Sequence, residues 1–589
     1  MFYGIGLMAV FLKDGNADWI QYVSLIFNEW ENMMYKHLMI IISLPILTMV
    51  LGISINNYRA EKTESVPLIH GMEADTAKKM LFSTASNCMN CHNNLVTPSG
   101  ENISFGIDWR KSMMANSARD PYWHAAVRRE VMDHPESKAA IENECSTCHM
   151  PMAHFQAKSQ GQMSRVFANL PVNKALTQQN RLAADGVSCT TCHQIKSDNF
   201  GERESFVGGF VIDTDKPMGQ REIYGPYAVD QGRSKIMHSS SGFLQVESKH
   251  LIESELCATC HTLYTHTLGP DGEVIGELPE QVPYLEWKHS SFVNDQSCQS
   301  CHMPEVKEST PISSVWGQPR ENVSRHSFRG GNFFMQRMLN RYRDELGVEA
   351  LPQEMDAAVN RTIEHLQTKS SYISITSAEV VGNELIADVE IENLAGHKLP
   401  TAYPSGRVWI RFSVTGPEGR VVFESGKVMP DGSINGNDND RAGNYYEQHY
   451  SEITEENQVQ IYEAILVDPE DQVTTGLLTG IRYIKDNRIL PKGFDKFTAG
   501  EDIAVKGSAD DDSDFTGGSD RVRYRVKLQD LNGTLRVKAE LYYQPIAYRW
   551  ARNLDSYDAA ETNKFVDYYN SMSEHSSVVL ASTKLAIVN

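Results

Sequence analysis

Cys88-Met-Asn-Cys91-His92 is the first of five copies of one pattern, in which two residues separate a pair of cysteines and histidine follows at once. This spacing lets both thiols bond to the vinyl groups of one haem and brings the histidine under its iron, as in c-type haem attachment. The other copies are Cys145-Ser-Thr-Cys148-His149, Cys189-Thr-Thr-Cys192-His193, Cys257-Ala-Thr-Cys260-His261 and Cys298-Gln-Ser-Cys301-His302. The sequence therefore predicts five covalent haems, with proximal iron ligands His92, His149, His193, His261 and His302.

The five motifs use all ten cysteines, which argues against the other common uses of this residue. A zinc site would pair two Cys-x-x-Cys units, and five units cannot be paired evenly. A redox dithiol needs no histidine after its second cysteine, whereas every motif here has one. Ten cysteines in 589 residues are also too sparse for a disulfide scaffold. Haem attachment is the interpretation that accounts for every cysteine.

The chain is strongly acidic, with 55 basic and 76 acidic side chains and a formal net charge of −21. This charge argues against nucleic acid and against an anionic membrane surface as partners. It favours brief encounters with basic redox proteins, although solubility alone would also explain it. The expected partners are other cytochromes, a membrane complex that oxidises quinol, or an extracellular acceptor. The sequence does not indicate an oligomeric state.

The N-terminal part predicts an exported protein. Residues 38–55 (LMIIISLPILTMVLGISI) follow Lys36 and His37, and a basic stretch before an apolar run is typical of a signal peptide. The same apolar run is also long enough for a membrane anchor. We therefore assign 34–56 to a signal peptide or anchor, 1–33 to a non-native or disordered extension, and 57–75 to a linker. The expected location is periplasmic, membrane-anchored or extracellular, as in anaerobic respiration or extracellular electron transfer.

Residues 76–330 contain every cysteine and form the predicted pentahaem domain. Short helical patterns occur at 120–131 and 175–184. We expect helices and loops with little sheet, because five apolar macrocycles replace much of the side-chain core. Two further helical patterns, at 332–346 and 353–368, predict packing helices that close this region within 331–369.

The pattern then changes to short runs of alternating apolar and polar residues, which predict an antiparallel β-sandwich over 370–545. Residues 546–589 predict a C-terminal helix and a short strand-like tail. The predicted fold class is therefore an α+β multidomain protein, a mainly helical or irregular multihaem cytochrome c domain followed by a β-sandwich-like domain. The alternating runs are 372–378, 384–392, 407–414, 420–424, 459–467, 520–529 and 535–543.

The side chain on the second face of each iron decides what a haem does. Histidine or methionine there makes an electron carrier, whereas an open position makes a catalyst. Fourteen of the 19 histidines lie outside the motifs, so ligands are not scarce. His134, His250 and His289 each lie a short way before the next cysteine pair, and His326 follows the last motif. His397, in a Gly- and Pro-flanked turn, would let the β domain reach a haem.

Other side chains are weaker candidates, and a surface or core position is the alternative for each. An acidic cluster beside Gly517-Gly518 indicates either a calcium site with oxygen ligands or a solvated acidic loop. Its members are Asp510, Asp511, Asp512, Asp514 and Asp520. The weaker haem ligands are His124, His154, His238 and His266, with Met113, Met114, Met150 and Met303 as sulfur donors.

With these motifs in place, the chain resembles the multihaem cytochromes c related to hydroxylamine oxidoreductases and pentahaem nitrite reductases. The resemblance is carried by Glu286-Trp287-Lys-His289 before the motif that ends His302-Met303-Pro304, and by Gly396-His397-Lys-Leu-Pro-Thr. In these families the first segment supplies a distal haem ligand, which implies that role for His289. The second segment is similar to one in C-terminal β domains of uncharacterised multihaem cytochromes.

The chain also departs from these families. Pentahaem nitrite reductases carry their catalytic haem on Cys-x-x-Cys-Lys, and this sequence has no such motif. Hydroxylamine oxidoreductases carry more haems and a tyrosine cross-linked to the catalytic one. The resemblance therefore implies haem-binding residues and no catalytic residue.

Two functions fit these observations. The first, which we favour, is the passage of electrons along closely spaced, mostly bis-histidine haems, because histidines are ample and no catalytic-haem motif occurs. The second is an oxidoreductase that acts on a small nitrogen or sulfur species at one haem with an open axial position. A basic stretch between the first two motifs would then bind substrate, or else neutralise haem propionates. It comprises Arg110, Lys111, Arg119, Arg128 and Arg129.

Overall fold

The computed structural model describes residues 80–528 and 533–588. The predictions for 1–33, 34–56 and 57–75, including the signal peptide or anchor at 38–55, lie outside the described residues. Asp75–Asn589 is one compact unit, so the haem region and the β domain belong to a single body. Within the described ranges, we find no helix with both the length and the apolar character needed to cross a membrane.

The haem region is built of short helices, and each motif lies on or directly at the end of one. Cysteines three positions apart, with a histidine four positions after the first, share one face of a helix. The motifs occupy the first, fourth, seventh, ninth and eleventh helices. In chain order the helices are α1 (Ala85–Met89), α2 (Phe105–Arg110), α3 (Pro121–Asp133), α4 (Lys138–His149), α5 (Pro151–Ser159), α6 (Gln178–Ala184), α7 (Cys189–Cys192), α8 (Gln231–Ser241), α9 (Ser254–His261), α10 (Pro283–Lys288) and α11 (Cys298–His302).

Sheet is sparse in this region, as predicted, and it consists of four two-stranded pairs. β1 (Arg221–Gly225) runs parallel to β2 (Phe243–Glu247), and β3 (Leu263–Leu268) forms an antiparallel hairpin with β4 (Val274–Gln281). This hairpin follows the fourth motif directly and is bonded to the β domain, because the Leu268 N–H donates to the Leu478 carbonyl at 2.7 Å. The remaining short strands are β5 (Glu305–Val306), β6 (Thr310–Pro311), β7 (Pro319–Arg320) and β8 (Val323–Ser324), paired β5 with β8 and β6 with β7.

The β domain contains two main sheets whose buried faces share one apolar core. The four-stranded sheet has the order β13-β18-β10-β9, and the five-stranded sheet has the order β12-β11-β19-β20 with β14 beside β11. β16, β15 and β17 form a smaller third sheet. The strands are β9 (Ser371–Val381), β10 (Glu384–Asn393), β11 (Arg407–Thr415), β12 (Val421–Ser425), β13 (Glu452–Ile453), β14 (Ile461–Tyr462), β15 (Ala464–Val467), β16 (Val473–Thr474), β17 (Arg482–Asp486), β18 (Ser519–Lys527), β19 (Thr534–Gln544) and β20 (Val578–Val588).

Side-chain alternation explains why these segments are strands. Successive side chains of a strand point to opposite faces, so a half-buried strand alternates apolar and polar residues. In β10 the apolar members of the alternation, Leu385, Ala387, Val389 and Ile391, are all fully buried. The predicted α+β class with a C-terminal β region is confirmed.

Helices outside the haem region connect it to the sheets. The predicted packing helices are present as α12 (Phe333–Arg341), α13 (Arg343–Leu346) and α14 (Pro352–Lys369). Phe333 and Phe334 belong to the same apolar core as the two sheets, so these helices pack on the β domain as well. α15 (Asp438–Arg441), α16 (Tyr548–Arg552) and α17 (Ala560–Asn570) follow.

The strand-like tail is longer and more integral than its sequence indicated. It forms β20, an eleven-residue strand. β20 pairs with β19 over nearly its whole length, from Thr534 opposite Val588 to Tyr543 opposite Val578. The C-terminal helices therefore interrupt the β domain in sequence and do not end it.

Candidate haem-binding site

Four of the five motif histidines are held by the same hydrogen bond, from the ring nitrogen Nδ1 to a backbone carbonyl. A proton on Nδ1 leaves the Nε2 lone pair free for a metal, so this bond selects the form and the orientation that an iron ligand needs. For His261, no such bond is found among the residues that the structure describes. The acceptors are the carbonyls of Ile312 for His92 (2.6 Å), Ser117 for His149 (3.1 Å), Tyr224 for His193 (2.7 Å) and Arg329 for His302.

Desolvation by the surrounding protein favours neutral imidazole. It lowers the pKa of the motif histidines, to about 4 for His149 and His302, although four of the side chains are only half-buried and that of His261 is exposed. Neutral imidazole is the form that binds a metal. A flat ring also supports His149, because Trp123 stacks on it with centroids 4.3 Å apart and planes 1° from parallel. The sequence did not identify Trp123, because it shows only that Trp123 precedes His124 and not that its ring stacks on His149.

The ten cysteines are free thiols that keep accessible surface. Nine are half-buried and Cys301 is exposed, so each keeps accessible surface. Protein nevertheless encloses them: burial raises the pKa of the Cys145 thiol well above its usual range and that of Cys192 to about 12. Accessible side chains inside a protein envelope are what a covalently attached macrocycle requires, so the thiols and imidazoles present fit haem.

The motifs lie against one another, although long stretches of sequence separate consecutive copies. Thiols of different motifs contact each other in three pairs. These are Cys88 with Cys189, Cys148 with Cys260, and Cys257 with Cys298. Cys192 also interacts electrostatically with Cys260. The five motifs thus form one connected cluster, in which the fourth contacts the second and fifth and interacts electrostatically with the third, and the first contacts the third.

Two of the predicted distal ligands lie opposite a motif histidine. His326 faces His193 with ring centroids 6.2 Å apart and planes 9° from parallel, and His397 faces His302 at 6.3 Å and 21°. Two metal–nitrogen bonds of about 2 Å, with about 1 Å from each nitrogen to its ring centre, give about 6 Å. An iron therefore fits between each pair. Nδ1 of His326 and of His397 contacts a carbonyl, at 3.2 and 3.0 Å, which leaves Nε2 for the metal.

The other three predicted distal ligands do not face a motif histidine within the described residues. His134, at the end of α3, is buried and its Nε2 has no hydrogen-bond partner, so it keeps a free donor atom. His250 uses both nitrogens, contacting the Ile195 carbonyl at 2.7 Å and the Ser248 hydroxyl at 2.6 Å. His289 contacts the Asp495 carbonyl at 3.0 Å near the surface. Their roles as ligands stay predictions.

The weaker histidine candidates have other neighbours. His266 is exposed on β3. His124 contacts the Ala118 carbonyl at 2.9 Å and His238 the Gly219 carbonyl at 2.8 Å, each through one ring nitrogen. His154 uses both ring nitrogens, with the Ser146 hydroxyl at 3.2 Å from Nδ1 and the Thr147 hydroxyl at 3.5 Å from Nε2.

The basic stretch between the first two motifs is paired with carboxylates of the protein. Each of its five cations has its own acidic partner, so none of them is left to form an anion pocket. The ion pairs are Arg110–Glu354 (2.5 Å), Lys111–Asp108 (2.8 Å), Arg119–Glu349 (3.4 Å), Arg128–Glu561 (2.8 Å) and Arg129–Asp133 (3.4 Å).

The acidic cluster divides in the structure. Asp510 and Asp511 are exposed, whereas Asp512, Asp514 and Asp520 each have a buried carboxylate oxygen without a hydrogen-bond partner. His449, which the sequence did not single out, joins them: its Nε2 lies 3.4 Å from Asp512 and 3.9 Å from Asp520. One oxygen of Asp512, one oxygen of Asp520 and a ring nitrogen of His449 all lie within 4.8 Å of one another.

The hydrogen bonds of His449 determine which of its ring nitrogens carries the proton. Its Nδ1 accepts N–H groups from the Gln460 amide at 2.8 Å and the Asn487 amide at 3.1 Å. Both amides are oriented by backbone N–H groups that donate to their carbonyl oxygens. A neutral ring whose Nδ1 accepts carries its proton on Nε2. His449 therefore presents a proton to the carboxylates and is not itself a cation ligand.

Comparison with known proteins adds one distant likeness. No protein-family model matches the chain, and no curated protein matches it. Among solved structures, the chain is similar to a penta-heme cytochrome c552 from Thermochromatium tepidum, with a TM-score of 0.47 and 14% sequence identity, over 86% of this chain and 100% of that one. At this level of similarity the neighbour carries no argument, and the function rests on the residues of the chain itself.

Proposed function

We propose that the protein is an extracytoplasmic pentahaem c-type cytochrome that passes electrons along a chain of closely spaced haems. The observation that carries this proposal is the contact between motifs, because thiols that touch anchor macrocycles that are neighbours. Bound haem would supply a one-electron couple at each site. Five such sites in one cluster give electrons a continuous route through the protein.

The side chains of the chain hold and tune each site. Paired thiols fix the macrocycle, and the backbone carbonyls orient the motif histidines with Nε2 towards the iron position. His326 and His397 complete two bis-histidine sites, on the third and fifth motifs. With haem bound, the two imidazoles of each pair would hold the iron from both sides, which would suit electron transfer and would exclude substrate from those two irons.

The setting of the protein is part of the same proposal. Haem is attached to such motifs outside the cytoplasm, and the basic and apolar stretch before the haem region suits export as a periplasmic, membrane-anchored or extracellular protein. The net charge of −21 favours basic redox partners at the surface. We propose another cytochrome, a quinol-oxidising membrane complex or an extracellular acceptor for that role.

A second function, an oxidoreductase of a small nitrogen or sulfur species, is supported by one observation. Within the described residues, no histidine ring faces His92, His149 or His261 as His326 faces His193. His261 also lacks the carbonyl bond that orients the others. An open axial position would therefore lie on the first, second or fourth haem.

Spectroscopy of the purified, oxidised protein separates the two functions. We expect the mass of the intact chain to include five haems, and electron paramagnetic resonance to show low-spin bis-histidine signals from at least the third and fifth sites. A protein with only low-spin signals would be an electron carrier. A high-spin signal that shifts on addition of nitrite, hydroxylamine or sulfite would establish the second function instead. Fewer than five haems would contradict the proposal.

We also propose calcium at the acidic cluster, with Asp512 and Asp520 as carboxylate ligands, because their oxygens lie together and hard carboxylate oxygens suit this ion. Dialysis against a calcium chelator should then lower the melting temperature, and added calcium should restore it. A 100-fold excess of ligand over its Kd stabilises a folded protein by about 2.7 kcal/mol. Asp520→Asn should abolish the effect, whereas Asp510→Asn, at an exposed carboxylate, should retain it. A melting temperature that stays the same after chelation and after addition of calcium would contradict a calcium site here.

A further inference from the structure

A carboxylate of the haem region holds the loop that carries His397. Glu286 lies on α10, shortly before the fifth motif in the sequence. Its Oε2 accepts the backbone N–H of Lys398 at 3.1 Å and the Thr401 hydroxyl at 2.5 Å. Lys398 is the residue next to His397, so Glu286 grips the β-domain loop one peptide away from the imidazole. The Glu286 side chain is completely buried.

Glu286 also completes a buried group of four charges. Its Oε1 lies 2.9 Å from the Arg488 guanidinium. Arg488 holds Asp486 through two bonds of 2.8 and 2.7 Å, and the Lys398 ammonium reaches Asp486 at 2.7 Å. Burial raises the pKa of Asp486, but the two cations outweigh it and hold that pKa well below its usual range.

The four charges come from two different regions of the protein. Lys398, Asp486 and Arg488 belong to the β domain, and Glu286 alone belongs to the haem region. Without Glu286 the β-domain trio carries one unbalanced positive charge, and a buried unpaired charge is costly. The four charges are balanced only when the loop is seated on α10.

The β domain fixes the shape of the loop by separate bonds. The Asn393 amide donates to the carbonyls of His397 and Ile489, each at 2.8 Å. Leu399 and Ile489 exchange backbone hydrogen bonds at 2.9 and 3.0 Å. Loss of Glu286 would therefore leave the loop folded and would change only its position relative to the haem region.

The loop backbone packs directly on the same haem-region segment. A Cβ built at Gly396 would lie 3.4 Å from Trp287 and from Phe292, so the two segments are in van der Waals contact. With Glu286 beside Trp287 in sequence, one short stretch of α10 meets the loop through apolar contact, hydrogen bonds and charge. These contacts hold the loop in one position on the haem region, and in that position the His397 ring lies opposite His302.

We propose that Glu286 is a positioning residue that keeps His397 on the fifth haem, so that seating of the β-domain loop sets whether this iron is closed or open. The inference rests on the proposed function, in which His397 is a distal ligand. Glu286 does not touch the iron position; it acts through the Lys398 peptide and the Thr401 hydroxyl. When its grip is lost, His397 withdraws and the iron accepts an external ligand.

The test compares Glu286→Gln with Glu561→Gln in the full haem-loaded protein. Glu561 forms the 2.8 Å ion pair with Arg128, which also joins the haem region to a later segment, so it controls for general loosening. We expect Glu286→Gln to gain about one high-spin haem per chain and to bind about one more equivalent of carbon monoxide when reduced. Added imidazole should restore the low-spin signal. Glu561→Gln should match the wild type in both measurements.

Further variants test the positioning role of Glu286 independently of Glu286→Gln. If Glu286→Gln does not accumulate, Thr401→Val removes one of the two hydrogen bonds and should give a smaller, partial gain in carbon monoxide binding. An unchanged spin state in Glu286→Gln and Thr401→Val, or an equal gain in Glu561→Gln, would overturn the positioning role. His397→Ala distinguishes the ligand assignment from the positioning role. If this variant opens no haem, His397 is not a distal ligand. If it opens one haem while the Glu286 and Thr401 variants open none, His397 is a ligand that Glu286 does not position.

Discussion

Replacing His397 by alanine should convert one haem of the five in each chain from low-spin to high-spin. The imidazole faces His302 with ring centroids 6.3 Å apart, the separation that one iron between two imidazoles requires. Alanine leaves that iron with a single axial ligand, and a five-coordinate haem binds carbon monoxide when reduced. Electron paramagnetic resonance should show the new signal, and carbon monoxide uptake should rise by about one equivalent per chain.

The matched control for this variant is His575→Ala, which removes an exposed histidine far along the sequence from any motif. Its spectra should equal those of the wild type. His326→Ala should open the third haem in the same way, and the double variant with His397→Ala should open two, because the two ring pairs share no residue. A low-spin content unchanged in His397→Ala would exclude the β domain as a source of haem ligands.

Removing the fourth haem should divide the electron route, whereas removing the first should only shorten it. Among the described residues, the fourth motif contacts the second through Cys260 and the fifth through Cys257 and interacts electrostatically with the third, whereas the first motif contacts the third through Cys88. The double variants Cys257→Ala/Cys260→Ala and Cys88→Ala/Cys91→Ala each lose one haem of five. Each variant loses two thiols and one haem, so differences between them report connectivity.

Stopped-flow reduction followed at the haem bands measures this connectivity. In the wild type and in the variant of the first motif, the remaining haems should be reduced in one kinetic phase, because electrons redistribute among neighbours. The variant of the fourth motif should show separate phases for haems that no longer communicate. One common phase in both variants would mean that the fourth motif is not the junction.

The prediction of haem attachment rests on local sequence alone, because each motif is a run of five residues. Five residues in a row place two thiols and an imidazole on one helix face, and nothing distant can change that. The helix at Pro121–Asp133 and the alternating strands were predicted for the same reason, since one face of each is buried. The contact between β20 and β19 was not, because helices intervene in the sequence and pairing is a tertiary property.

The second ligands show where local reasoning stops. His326 and His397 were predicted from their flanking residues, but the iron each would meet depends on the packing of distant segments. Near α10 the sequence directed attention to His289, whereas the buried group that meets the β-domain loop is Glu286. The sequence around Glu286 does not show that this glutamate is buried, because its partner Arg488 lies far along the chain in the β domain.

The order of segments along the chain has a consequence for assembly. His397 is encoded well after His302, and the charges that seat its loop lie still later, at Asp486 and Arg488. N-terminal parts of a chain are delivered and begin to fold first. On the proposed function, a fifth haem attached in this order would precede the arrival of its second ligand and would pass through an immature, ligand-accepting form. Closure of that iron would then mark completion of the protein, so a pulse of newly made chains should lose carbon monoxide binding as they mature.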